Sequence, residues 1–140
     1  MAVTRRAWVV IHAPDINALL LGKRSKTANS PGEWNLFGGR LDGGEEPVEA
    51  ACREVEEEIG LKLSPSDLQP LGEEDGHHFF LYPAAADLHE RLRLDRTEIG
   101  KVKWFGFHNL PSERKHHRSL AILLRRFATI APDSKIANSE

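Results

Sequence analysis

At 140 residues, with 40% apolar and 29% charged side chains, the chain has the length and balance of one compact domain with one core. A formal net charge of −2 argues against a mainly electrostatic binder of nucleic acid or membrane surfaces, and no duplex nucleic acid is expected as a partner. The lone Cys52 excludes an intramolecular disulfide and a multi-cysteine zinc site, and no apolar run is long enough for a secretory signal or a membrane span, so the cytoplasm is the expected location.

In chain order, "RRAWVVIHA" (5–13) and "NALLLGKRS" (17–25) flank the turn "PDIN" and predict two strands. "KTANSPGE" (26–33) is loop, and "WNLF" (34–37) predicts a brief strand entering a glycine pair. Residues 46–59 predict a helix, with Pro47 in its first turn and Glu45 and Glu46 at the positive end of its dipole. Residues 65–86 predict two strands around the polar turn "EEDG", and 100–107 a further strand with Val102 and Trp104 on one face. A closing helix is expected over 111–130, capped by Ser112, with Leu120, Leu123, Leu124 and Phe127 as its apolar stripe. One domain over 1–130 is expected, with 131–140 as a polar, frayed tail. Strands interspersed with two helices make this an α/β chain, a mixed sheet covered by helices.

The segment 38–61, "GGRLDGGEEPVEAACREVEEEIGL", is the chemically informative one, with eight acidic side chains behind four glycines. On a helical wheel Val48, Ala51, Cys52, Val55 and Ile59 share an apolar arc, while Glu54, Glu57 and Glu58 stand at i, i+3 and i+4 on the arc beside it. A solvated helix face is the plain account of such a run. Yet like charges at i, i+4 cost roughly 0.2–0.5 kcal/mol each, and Arg53 is the one nearby base. A hard divalent cation held through carboxylate oxygens turns that repulsion into attraction. The glycines taken singly are turn residues; as adjacent pairs between a strand and a helix they also allow a close backbone approach to a ligand.

Taken whole, the segment resembles the Nudix box of the Nudix (MutT-like) hydrolases. The match runs from Gly39 across five residues to Glu45, then across seven to Arg53, Glu54, aliphatic Val55, Glu57, Glu58, Gly60 and aliphatic Leu61. With seven positions fixed at roughly 6% usage per residue type, a chance hit is below about one in a million. The resemblance implies an α/β/α sandwich, a mixed sheet flanked by helices, with a loop–helix–loop at 39–61. It implies Mg²⁺ (Mn²⁺ as substitute) held by Glu54, Glu57 and Glu58 and by the carbonyl of Gly38. Arg53 would orient the cluster by pairing with Glu45, Gly39 and Gly60 would support the loop and the helix end, and Glu98 resembles the family's distant general base. Glu73, Glu74 and Asp75 are weaker alternatives for that base. Arg24 resembles a phosphate-contacting basic residue at the end of its strand, with a snorkelling surface arginine as the alternative. Phe37 stands where many members carry proline; it, Trp34 and Trp104 are candidates for contact with a base, Trp104 being the one favoured as core. The pairs His77–His78 and His116–His117 are not expected to share a metal, because neighbours on a strand face opposite sides, and "ERKHHR" is expected to be a solvated helix face.

The implied reaction is hydrolysis of a nucleoside diphosphate linked to X, a (d)NTP giving a monophosphate and pyrophosphate being favoured over a nucleotide sugar. A non-catalytic nucleotide sensor ranks next and a plain acidic interaction helix last, since no box carboxylate is missing. The zone after the box, "GHHFF", supports neither the ADP-ribose nor the dinucleoside-polyphosphate subgroup. A homodimer is compatible with the resemblance.

Overall fold

The computed structural model describes residues 4–130, with side chains described through residue 126. The expected tail at 131–140 and the side chain of Phe127 lie outside the described residues. Strand β1 (Arg6–Ala13) is apolar at consecutive positions because both of its faces are covered. Trp8 and Val10 enter one core cluster, and Ala7, Val9 and Ile11 enter the other. β2 (Ala18–Arg24) divides in the same way, Leu19 and Leu21 against Leu20.

The sheet is mixed and holds seven strands. The last three residues of β1 pair with antiparallel β2, while its first four pair with antiparallel β4 (Phe37–Arg40). Along its other edge β1 pairs in parallel with β6 (His77–Pro83), which pairs in turn with β5 (Gln69–Glu74). β2 also pairs with short β3 (Trp34–Asn35) and with β7 (Ile99–Gly106). Between β5 and β6, Asp75 and Gly76 take φ of 51° and 83°, as a two-residue hairpin turn requires. Helix α1 (Pro47–Ile59) covers one face through Ala50, Ala51, Val55 and Ile59; helix α2 (Arg118–Ile130) covers the other through Leu120 and Leu123. The result is the expected α/β/α sandwich.

Two boundaries differ from expectation. Gly38 and Gly39 are not turn residues but continue β4, opposite Trp8 and Ala7. The closing helix starts at Arg118, and Ser112 instead precedes a 3₁₀ turn at Glu113–Lys115. The reason is tertiary: His116 bridges Trp34, and the His117 amide donates to the Trp34 carbonyl at 2.8 Å, holding the chain extended until residue 118.

Candidate active site

Helix α1 carries the acidic segment, and both of its ends are defined. The Glu46 amide donates to Glu49 Oε1 at 2.8 Å at the start. At the end Gly60 adopts the left-handed conformation (φ 70°) and its N–H bonds to the Glu56 carbonyl. Arg53 fixes the preceding loop to the helix. Its Nε and one terminal nitrogen donate to the two oxygens of Glu45 at 2.7 and 3.1 Å, the bidentate geometry that suits guanidinium and carboxylate. The same side chain donates to the Arg40 carbonyl and, at 3.3 Å, to Glu57. Pairing with Glu45 comes first among the causes that hold Arg53 firmly protonated.

The three glutamates of the arc have different surroundings. Glu58, expected on the polar side, is buried, and its Oε1 accepts a hydrogen bond from the Gly38 amide at 3.0 Å. Glu54 lies against Gly39, where a Cβ would run into its carboxylate. Glu57 is turned outward to Arg53, with 57% of its side chain exposed. Among the described residues no group of three acidic, histidine or cysteine side chains is already closed around a cation position. Gly38 has its own constraint: it sits at φ 152°, and a Cβ there would strike the Ala7 carbonyl at the crossing with β1.

Burial raises the pKa of Glu54 to about 7, and Arg53 only partly offsets it against Glu57 and Glu98. Burial, then the negative charge of Glu54, holds Glu58 well above the ordinary carboxylate range. Glu98 reaches the same cavity from the loop before β7 and pairs with Arg24 at 3.3 Å. Arg24 Nε also donates to the Asn29 carbonyl. Its guanidinium therefore spans the loop and the cavity carboxylates rather than snorkelling to solvent.

Phe37 does not take the place expected of it. It is fully buried in the α1-side core and packs against Gly22, so it has no surface to offer a substrate. Trp34 is likewise core, edge-on to Phe105 with centroids 4.7 Å apart. Trp104 is half-buried beside that same α1-side core, and its indole nitrogen donates to His89.

Glu54, Glu58 and Glu98 line one end of a cavity of about 500 Å³. Its other walls hold Arg6, Trp8, Asn35 and Arg40, which no sequence pattern singles out, together with His77, His117 and Arg118. "ERKHHR" is thus not wholly a solvated face, because His117 and Arg118 close this cavity. One member of each histidine pair, His77 and His117, faces it. His77 Nδ1 accepts from the Trp8 indole at 3.0 Å, which fixes a neutral ring with its proton on Nε2. Burial, reinforced by Arg24, lowers the His117 pKa to about 4. The lining is therefore divided: Glu54, Glu58 and Glu98 lie with Arg24, whereas Arg6, Arg40 and Arg118 gather around the neutral imidazoles of His77 and His117.

Known proteins resemble this chain in sequence and in fold. The family model of the NUDIX domain matches residues 3–127. An RNA pyrophosphohydrolase of Rhodospirillum rubrum is 36% identical over 83 residues, covering 59% of this chain and 47% of that protein. A nucleoside triphosphatase NudI of Salmonella schwarzengrund is 50% identical over 40 residues, 29% of this chain and 28% of that one. In both cases the matched region spans less than half of the curated relative's length. Among solved structures, the MutT NUDIX hydrolase from Burkholderia pseudomallei superposes with a TM-score of 0.68 at 26% identity, covering 89% of this chain and 98% of that one.

Proposed function

The chain belongs to the NUDIX domain family, and from that premise we propose that it hydrolyses the phosphoanhydride of a nucleoside diphosphate linked to X, with a nucleoside triphosphate as the favoured substrate, giving a monophosphate and pyrophosphate. The observation that carries the reading is the crowding of Glu54, Glu58 and Glu98 at one end of the cavity, two of them held well above the ordinary carboxylate range. Carboxylates are packed together at such a cost where a cation compensates them. Their hard oxygen donors fit Mg²⁺, with Mn²⁺ as an alternative. Glu54, Glu57 and Glu58 would hold it, with the carbonyl of Gly38 as a further ligand. When bound, such an ion neutralises phosphate oxygens, stabilises the leaving group and lowers the pKa of a water.

The chain's own residues supply the framework. Arg53 ties Glu45, the Arg40 carbonyl and Glu57 into one unit, so the loop and helix present their oxygens at fixed separation. The Gly38 amide holds the Glu58 carboxylate in place. Glu98, the most solvent-open of the three cavity carboxylates with 46% of its side chain exposed, is the group we assign to accept the proton of the attacking water, held by Arg24. Relatives named as an RNA pyrophosphohydrolase and a nucleoside triphosphatase support a nucleotide phosphoanhydride as the target. No described helix is long and apolar enough to cross a membrane, and a cytoplasmic enzyme of small nucleotides is the setting this reading expects.

A substrate panel with Mg²⁺ tests it. Release of pyrophosphate from a nucleoside triphosphate is expected, abolished by chelator and cut strongly in Glu98→Gln. Absence of phosphoanhydride cleavage across nucleoside triphosphates and nucleotide sugars would overturn the reading.

A further inference from the structure

Arg6 in β1 stands directly opposite Arg40 of β4 on one side and His77 of β6 on the other. Opposed residues on neighbouring strands share a face, and like charges so placed repel. Arg118, the first residue of α2, lines the same cavity from the other layer. Burial first, and then the positive charges of Arg40 and Arg118, depress the Arg6 pKa. Among the described residues none of these three guanidiniums lies in an ion pair, whereas Arg24 and Arg53, beside the carboxylates, both do. Asn35, 4% exposed, lines the same cavity, its side-chain oxygen accepting from Ser119 Oγ. Guanidiniums gathered without a counter-charge on one cavity wall are a site for an anion with several acceptor oxygens.

We propose that Arg6, Arg40 and Arg118 bind a phosphate beyond the bond that is cut, so that the protein selects a triphosphate chain over a nucleoside diphosphate joined to an uncharged group. This rests on the hydrolase reading above and adds the specificity it lacks. With carboxylates at one end and guanidiniums at the other, the cavity sorts a polyphosphate along its length: the scissile bond belongs near Glu54 and Glu58, the outer phosphate near Arg6. A hexose in that outer position offers neutral hydroxyls and leaves the guanidiniums unpaired. The volume, about 500 Å³, lies within the usual range of small-ligand sites. Free nucleotides and the 5′ end of an RNA can both present such a chain.

The test uses the full chain and the variants Arg6→Gln/Arg40→Gln, Arg118→Gln and all three together. Inorganic tripolyphosphate is titrated calorimetrically in chelator, and kcat/KM is measured with Mg²⁺ for a nucleoside triphosphate, a 5′-triphosphate oligonucleotide and a nucleoside diphosphate hexose. Tripolyphosphate affinity should fall about tenfold per arginine removed, about 1.4 kcal/mol each. The triple variant should lose at least tenfold more kcat/KM on triphosphates than on the hexose conjugate, and the two triphosphate arms identify the source. Melting temperature should stay level or rise, since a repulsive cluster is being relieved; a fall would mark the arginines as structural and overturn the proposal. Tripolyphosphate binding that is undetectable, or unchanged in the triple variant, overturns it as well. If the protein cleaves no nucleotide yet binds tripolyphosphate through these arginines, the hydrolase reading falls and the subsite stands.

Discussion

Replacing Glu54 with glutamine isolates the cost of the carboxylate cluster. Glutamine keeps the shape and the hydrogen-bonding capacity of a protonated glutamate while removing the charge. In the folded protein the Glu54 pKa rises from 4.5 to about 7, burial being the first cause and Glu57 and Glu98 adding repulsion. A tenfold change in proton affinity is worth about 1.36 kcal/mol, so the rise corresponds to roughly 3 kcal/mol. The carboxylate lines the cavity and its side chain keeps 18% exposure, so solvent screening leaves about 2 kcal/mol of this. The sign follows from linkage: the folded state binds this proton more tightly than the unfolded chain does. Stability is therefore fully present below pH 4.5 and is lost as pH rises from there through about 7. In chelator, wild type and Glu54→Gln should differ little at pH 5. At pH 8 the variant should be more stable by about 2 kcal/mol, about 7 °C in melting temperature for a chain of this size. Adding Mg²⁺ should narrow the gap, because a ligand that binds only the folded state stabilises the protein that can hold it. Denaturation curves at the two pH values measure this directly. A variant no more stable than wild type at pH 8 without metal would refute the argument that these carboxylates are held against repulsion.

Other substitutions separate chemistry from packing. Glu57→Gln should leave melting within about 1 °C, as an exposed side chain allows, and cut kcat by at least about a hundredfold if it is a metal ligand; steady-state assays decide. Gly39→Ala puts a methyl group into the Glu54 carboxylate and should reduce kcat far more than stability, which paired activity and melting measurements resolve. Phe37→Ala empties a fully buried position and should cost about 3–5 kcal/mol in chemical denaturation. Among the molecules that remain folded, KM should be unchanged, whereas a substrate contact would raise it.

The part of the site that could be read in the sequence is the part that is local in sequence. Glu54, Glu57 and Glu58 lie within two turns of one helix and Arg53 is eight residues from its partner Glu45, so spacing alone brings them together. Even there, periodicity placed Glu58 on the polar arc and could not show that β4 passes over it and buries it. The basic end of the cavity was invisible for a different reason. Arg6, Arg40, His77 and Arg118 come from four elements spread over 112 positions, and only the register of β1 against β4 and β6 sets the first three side by side. Strands β1 and β2 were legible because each is a short, nearly unbroken apolar run bounded by a polar turn, the pattern of a strand covered on both faces. The start of α2 was not, because a backbone bond from His117 to Trp34 overrode the capping signal of Ser112.

Cation uptake tests the central claim most directly. Mn²⁺ titrated into the wild-type chain and into Glu54→Gln/Glu58→Gln, followed by the electron paramagnetic resonance of the free ion, should show binding to the wild type that tightens with a non-hydrolysable nucleotide and is at least tenfold weaker in the double variant. Equal uptake by the two proteins, or none by the wild type with or without nucleotide, would contradict the account.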